Sequence, residues 1–275
     1  MMERIASLTN YRELIENLVT RNLKVRYKNS VLGFVWSLLN PLLLMLVFTV
    51  VFTFMLPNYH VPNFPVFVLC ALMPWNFFNT SVMSSISSIT QNGSLIRKVY
   101  FPQEVLTISS VLSNFVNFLL SVPILILFIV LFRIPINYSI LYLPLIMLVQ
   151  LIFTMGIGLF LATLNGFYRD TAVIMEVIMQ AWFFFTPVFY PIDLLDEWRM
   201  LLGLAVPVRR LTYILNPMAS ITASYRSILY GFIDGSPPTA PAPDFLLRTA
   251  VTSLLCLVAG YRIFIRYSHR FAEEV

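Results

Sequence analysis

The chain has 275 residues, 59% hydrophobic and only 11% charged, less than half the ~25% charged share of soluble domains. Uncharged runs longer than the ~18 residues that signal a membrane-spanning helix exclude a soluble fold. The net charge of +5 does not argue for nucleic acid as a partner, because the cations sit in short segments beside apolar runs, where topology and acidic lipid account for them.

The first 30 residues are polar and lack the apolar core of a cleavable signal peptide. Within them Leu8, Tyr11, Ile15, Leu18 and Val25 form a helical stripe interrupted by Asn22. Arg21, Lys24, Arg26 and Lys28 gather toward its end, and Thr9 or Asn10 supplies a start signal. The pattern predicts an amphipathic helix lying in the membrane interface.

Apolar runs follow at 31–56, 64–89, 105–132 and 140–167, then a shorter one at 172–190 containing Glu176, and a last one at 245–265. Each is long enough to cross a ~30 Å hydrocarbon layer. Backbone groups in lipid must be satisfied within the segment, so an all-α integral membrane protein with six spans is expected. Pro65 and Pro74 imply kinks in the second run.

Arg4, Arg12, Arg21, Lys24, Arg26, Lys28, Arg97, Lys98, Arg169, Arg266 and Arg270 lie on one side of that arrangement; Arg133, Arg199, Arg209, Arg210 and Arg226 lie on the other. The positive-inside rule therefore places both termini in the cytosol of a multi-pass protein. Residues 200–215 are apolar but short, and Pro207, Arg209 and Arg210 interrupt them. Together with the following segment they predict a pair of partial or re-entrant helices on the outer face within 192–232, ahead of an exposed proline-rich loop at 234–244. The whole chain reads as a single transmembrane domain.

No GxxxxGK[ST] phosphate loop, GxSxG elbow or HExxH site is present, and the histidines are His60 and His269 alone. Neither a catalytic residue nor a metal site is expected, and any nucleotide chemistry belongs to a partner. Cys70 and Cys256 fall in apolar runs and read as small buried hydrophobes. Asp193, Asp196, Glu197, Asp234 and Asp244 are either solvated loop acids or the carboxylates of a membrane-embedded glycan-processing enzyme. Asn114, Asn117 and Gln150 are polar mid-span residues suited to helix–helix hydrogen bonding. A carboxylate at the membrane centre costs on the order of 3 kcal/mol, so Glu176 faces a protein interior or pairs with a cation. Trp182, Phe183, Phe184 and Phe185 cover a full helical turn, so some of these rings face away from lipid.

Five segments in order complete the picture: RNLKVRYKNSVLGFVWSLLNPLL (21–43), LIRKVYFPQEVLTIS (95–109), FYRDTAVIMEVIMQAWFFFTPVFYP (167–191), LNPMASITASYRSILY (215–230) and FAEEV (271–275). Together they resemble the permease subunits of type-two ABC exporters, in the branch that exports lipid-linked O antigens, capsules or teichoic acids. The resemblance spans nearly the whole chain. It implies a homodimer in the bacterial plasma membrane, paired with two copies of a separate ABC ATPase that carries the ATP and magnesium. It also implies an N-terminal interface helix, six spans and two outer-face helices after the fifth. The alternative within the same fold is a permease for small hydrophobic molecules or drugs.

By the same resemblance the loop between the second and third spans carries the coupling helix: Leu95, Ile96, Arg97, Lys98, Val99, Tyr100, Phe101 and Pro102. Leu95, Ile96, Val99 and Tyr100 would share one helical face against the ATPase, Arg97 and Lys98 would reach acidic groups or lipid phosphates, and Pro102 would end the helix. Arg169 either pairs with Asp170 or contacts a lipid pyrophosphate or the ATPase, a role that suits the guanidinium fork. Candidates for the substrate path are Trp36, Trp75, Phe77, Phe78, Arg169, Glu176, Trp182, Phe183, Phe184, Phe185 and Tyr190. Aromatic faces would let sugar rings slide along a canal; ordinary packing and an interfacial belt are the competing explanation for each ring.

Overall fold

The computed structural model describes residues 11–28, 35–55, 61–99, 101–195, 197–201 and 204–274. Its long helices are α3 (Phe64–Ile86), α5 (Glu104–Leu131), α6 (Leu143–Phe167, entered through a 3-10 turn at Tyr138–Tyr142) and α10 (Pro243–Tyr267). All four are long and apolar enough to cross a membrane. Two shorter apolar helices accompany them: α2 (Val35–Val50), which continues as a π-helical turn through Met55, and α7 (Thr171–Phe185). Pro41, Pro74 and Pro123 lie inside helices, whereas Pro65 occupies the first turn of α3, where its missing N–H costs nothing.

α3 is the central helix, with most of its residues buried. α2, α5, α6, α7 and a short helix, α9 (Pro217–Leu229), all pack on it. α6 and α10 form the tightest helix pair. A Cβ at Gly156 would meet the Leu257 nitrogen at 2.5 Å, and one at Gly260 would run into the Gly156 carbonyl. Glycines at this crossing let two backbones touch, the packing that replaces the hydrophobic effect between helices in lipid.

At one end of the bundle, α1 (Arg12–Tyr27) packs on the start of α5. Beside it lie the short α4 (Gly93–Lys98) and the terminal α11 (Phe271–Glu274). The opposite end carries a 3-10 turn at Ile192–Leu194, α8 (Val208–Leu215) and α9. It also holds a small antiparallel hairpin, β1 (Arg199–Leu201) with β2 (Leu204–Val206), which the sequence reading did not include.

Two elements differ from expectation in length. The fifth apolar run stays helical only to Phe185, because Thr186 adopts an extended conformation and Pro187 follows. The helix between the second and third runs ends at Lys98 rather than near Pro102. Val99 is extended and caps the turn with its N–H on the Leu95 carbonyl, and the proline disfavours helical geometry at Phe101.

α9 lies deep in the bundle. It is buried along most of its length, since Ala, Ser and Thr side chains let it sit close to α3, α6 and α10. Tyr230 Oη donates to the Pro62 carbonyl at 2.6 Å, and Ser139 Oγ to the Ile228 carbonyl at 3.3 Å. In the proline-rich loop beyond it, Asp234 Oδ1 accepts the Ser236 amide at 2.9 Å, which holds this carboxyl below its usual range.

Candidate functional sites: a polar groove and a packed coupling end

A groove of about 460 Å³ opens between α2, α3 and α7. One wall is aromatic: Trp75, Phe48 and Phe183, with Phe183 at 5.6 Å from Trp75 and stacked on Phe48 at 6.1 Å. The lining also includes Glu176, Asn40, Asn76, Asn79 and Gln180. Asn40, Glu176 and Gln180 are exposed at its mouth. Helical spacing assembles the set: Asn76 and Asn79 are three residues apart, Glu176 and Gln180 four, so each pair shares one face of its helix. Carboxylate and amide oxygens beside flat rings suit a polyhydroxylated ligand, offering hydrogen bonds to hydroxyls and apolar surface to C–H faces.

Of the residues proposed for a substrate path, Trp75, Glu176 and Phe183 meet in this groove. The others lie elsewhere. Phe77 stacks on Phe118 at 5.2 Å, and Phe78 packs between Phe153 and Trp182; both are buried in the helical core. Trp182 turns toward α9, where its Nε1 donates to Asn216 Oδ1 at 2.9 Å. That ring also lines a second groove, of about 570 Å³ and nearly all apolar, between α7 and α8. Phe184 and Phe185 are exposed on α7, as is Trp36 on α2. Tyr190 donates to the Phe184 carbonyl at 3.0 Å. Arg169 and Asp170 are both exposed, and they do not form an ion pair. The ion pairs among the described residues join Arg12 to Glu16 and Arg209 to both Asp193 and Glu197.

Asn40, Asn76, Asn79 and Gln180 escaped the sequence reading. Their signal was present, as amides recurring at helical spacing within apolar runs. Arg226 carried no role in the sequence beyond its place among the outer-side cations. It is 8% exposed on α9, its guanidinium lies 3.6 Å from the Phe67 ring centre, and it donates to the carbonyls of Phe67, Pro187, Val188 and Tyr190. Those carbonyls belong largely to the non-helical stretch after α7. Arg226 thus satisfies backbone that a membrane interior would leave without partners.

Gln150 and Asn114 make the interhelical hydrogen bonds expected of mid-span amides. Gln150 donates to the Pro74 carbonyl at 2.7 Å and accepts from Tyr225 Oη at 2.8 Å, tying α3, α6 and α9 together. Asn114 donates to Ser84 Oγ at 2.8 Å, joining α5 to α3.

At the α1 end, a compact apolar cluster contains Leu18 of α1, Ile96 of α4, Phe101, the start of α5 and Phe271 of α11. Arg21 Nη2 donates to Asn92 Oδ1 at 3.1 Å, fastening α1 to the turn that begins α4. Lys24, Arg26 and Lys28 are exposed, and so are Arg97, Lys98 and Val99, while Leu95 is half-buried. The apolar residues expected on one docking face therefore divide: Ile96 anchors α4 to its own chain and Val99, 52% exposed, points away. Tyr100 lies outside the described residues.

Four helices long and apolar enough to cross a membrane, with a groove that brings a carboxylate and amides beside aromatic rings, define a multi-pass membrane protein. Residues 13–230 match the family described as ABC-2 type transporter, and the chain belongs to that family. It is 35% identical to the O-antigen export system permease protein RfbA of Myxococcus xanthus over 275 residues, covering 100% of both chains. It is also 31% identical to the protein of the same name from Klebsiella pneumoniae over 265 residues, 95% of this chain and 94% of the relative.

Proposed function

We propose that this chain is the membrane-spanning subunit of an ATP-driven exporter that moves a lipid-linked polysaccharide of the O-antigen kind from the cytosolic to the outer face of the bacterial plasma membrane. It is a permease rather than an enzyme, and ATP and magnesium act on a separate ABC ATPase. The full-length likeness to O-antigen export permeases carries this reading. The groove agrees with it, because Glu176, Gln180 and three asparagines beside aromatic rings fit sugars better than the small hydrophobic molecules of the alternative.

In this reading α2 and α7 complete six crossings with the four long helices, and both termini are cytosolic. α7 has 15 residues, which rise ~22 Å, so it needs the stretch held by Arg226 to reach the far side. Two copies face one another across their grooves and enclose the canal. Two ATPase subunits dock at the end carrying α1 and residues 95–102. Closure of the ATPase dimer on ATP moves α4, the copies part, and polymer passes. The deeply buried α9 serves as a fixed post, leaving α8 and the hairpin as the movable parts of the outer end.

The decisive experiment is co-purification with a candidate ABC ATPase, followed by reconstitution with lipid-linked O-polysaccharide. ATP-dependent, directional transfer and glycolipid-stimulated hydrolysis are expected. Stimulation by small hydrophobic compounds with none by glycolipid would favour the alternative.

A further inference from the structure

The last residues of the chain return to the coupling region. After α10 the backbone turns at Ser268–Arg270, and α11 packs against both α4 and α6. Phe271 is 0% exposed. Its ring stands edge-on to Phe264 at 5.2 Å and tilted to Phe167 at 5.8 Å. Gly166 makes the seat: a Cβ there would stand 3.1 Å from Cε1 of the ring.

α4 has six residues, far below the ~12 at which an isolated helix becomes even marginal. Packing therefore sets its orientation. Ile96 fixes one face, Arg21 holds the preceding turn through Asn92, and α11 adds a third support. A push delivered to Arg97, Lys98 and Val99 would rock so short a helix about Ile96 unless it were braced. The brace stands on Gly166 and Phe167 at the end of α6, and the chain runs from there directly into α7, which carries Glu176 and Gln180 of the groove.

We propose that Phe271 is a positioning residue of the coupling machinery: seated on Gly166, it braces α4 against α6, so that displacement of α4 reaches α7 and the groove. The inference rests on the reading of residues 95–102 as the ATPase contact.

The test uses the full permease with its ATPase in proteoliposomes, measuring assembly, ATP hydrolysis and glycolipid transferred per ATP. Phe271→Ala should assemble and hydrolyse ATP, with transfer per ATP down about fivefold, the scale on which substitutions along a packed coupling route act. Phe271→Leu, which refills the seat, should recover most of that loss, and Glu273→Gln with Glu274→Gln should change nothing. Unaltered transfer per ATP in Phe271→Ala overturns the proposal. If that variant does not insert, a chain ending at Arg270 decides: normal coupling overturns the proposal, and failure of both to insert assigns Phe271 to folding alone, which overturns it too. Val99→Asp is run in parallel. Coupling intact in Val99→Asp removes the reading of residues 95–102 itself, whereas uncoupling there with none in Phe271→Ala removes only the role given to Phe271.

Discussion

Glu176 and Arg226 are both charges among apolar residues, and their surroundings divide their roles. Glu176 is exposed in a groove with amides and makes no ion pair among the described residues. With α7 as a membrane crossing, as proposed above, a carboxylate near its middle costs on the order of 3 kcal/mol, which points to a role in what it contacts. Glu176→Leu should insert at least as well as the native chain, with an unchanged or higher melting temperature, while O-polysaccharide export falls roughly tenfold, the loss of one charge-assisted hydrogen bond. Glu176→Gln should keep more export than Leu. A parallel loss of stability and export would instead make the residue structural. Arg226 predicts the reverse pattern. Replacing it with Leu strips partners from the buried carbonyls of Pro187, Val188 and Tyr190, at about 1–3 kcal/mol per orphaned group. Melting temperature and yield should both drop, whatever the substrate. The sequence revealed Glu176 because an acid inside an apolar run has no bland explanation. It concealed Arg226 because an arginine among Ser, Thr and Tyr looks like a solvated one, and only the fold shows four carbonyls converging on it.

The helices divide in the same way between what pattern reveals and what packing decides. Apolar length alone marked every long helix, and the ends of α3, α5 and α6 fall close to where charges and prolines placed them. The end of α4 and the burial of α9 were not legible. Val99 leaves the helix by a local backbone choice, and α9 is polar in composition yet buried because small side chains pack tightly. Gly156 and Gly260 were likewise silent, since a glycine in an apolar run predicts no particular neighbour. Their contact sets the spacing of α6 and α10. Gly260→Leu must push two backbones apart, because the obstructing atoms are main chain rather than a flexible side chain. Overpacking of this kind costs about 1–3 kcal/mol or more. A lower melting temperature in detergent should result, with export lost in proportion to folded protein. Gly235, with open space around its Cα, provides the control: although its positive φ disfavours other residues, Gly235→Asn should leave the bundle intact.

For the whole molecule the question is which face meets another protein surface and which meets lipid. Exposed leucines and valines cover the outer sides of α5, α6 and α10, including Leu127, Leu148 and Leu255, as hydrocarbon requires. The side formed by α2 and α7 differs, for there the apolar surface is broken by Asn40, Glu176 and Gln180 around the groove mouth. Polar groups left against lipid would each cost free energy that a facing protein or a wet canal removes. A two-fold pair presents the same patch from both copies, so the two grooves would close into one passage with a glutamate and a glutamine from each side. Introducing Asn40→Cys or Gln180→Cys, with Cys70 and Cys256 replaced by Ala, should give an intermolecular disulfide in native membranes. Leu148→Cys and Leu255→Cys should not. ATP binding by the partner ATPase should lower the yield at Gln180→Cys if the copies separate to admit the polymer. Cross-links at Leu148 or Leu255 with none at Asn40 or Gln180 would turn the groove toward lipid and remove the canal from the mechanism.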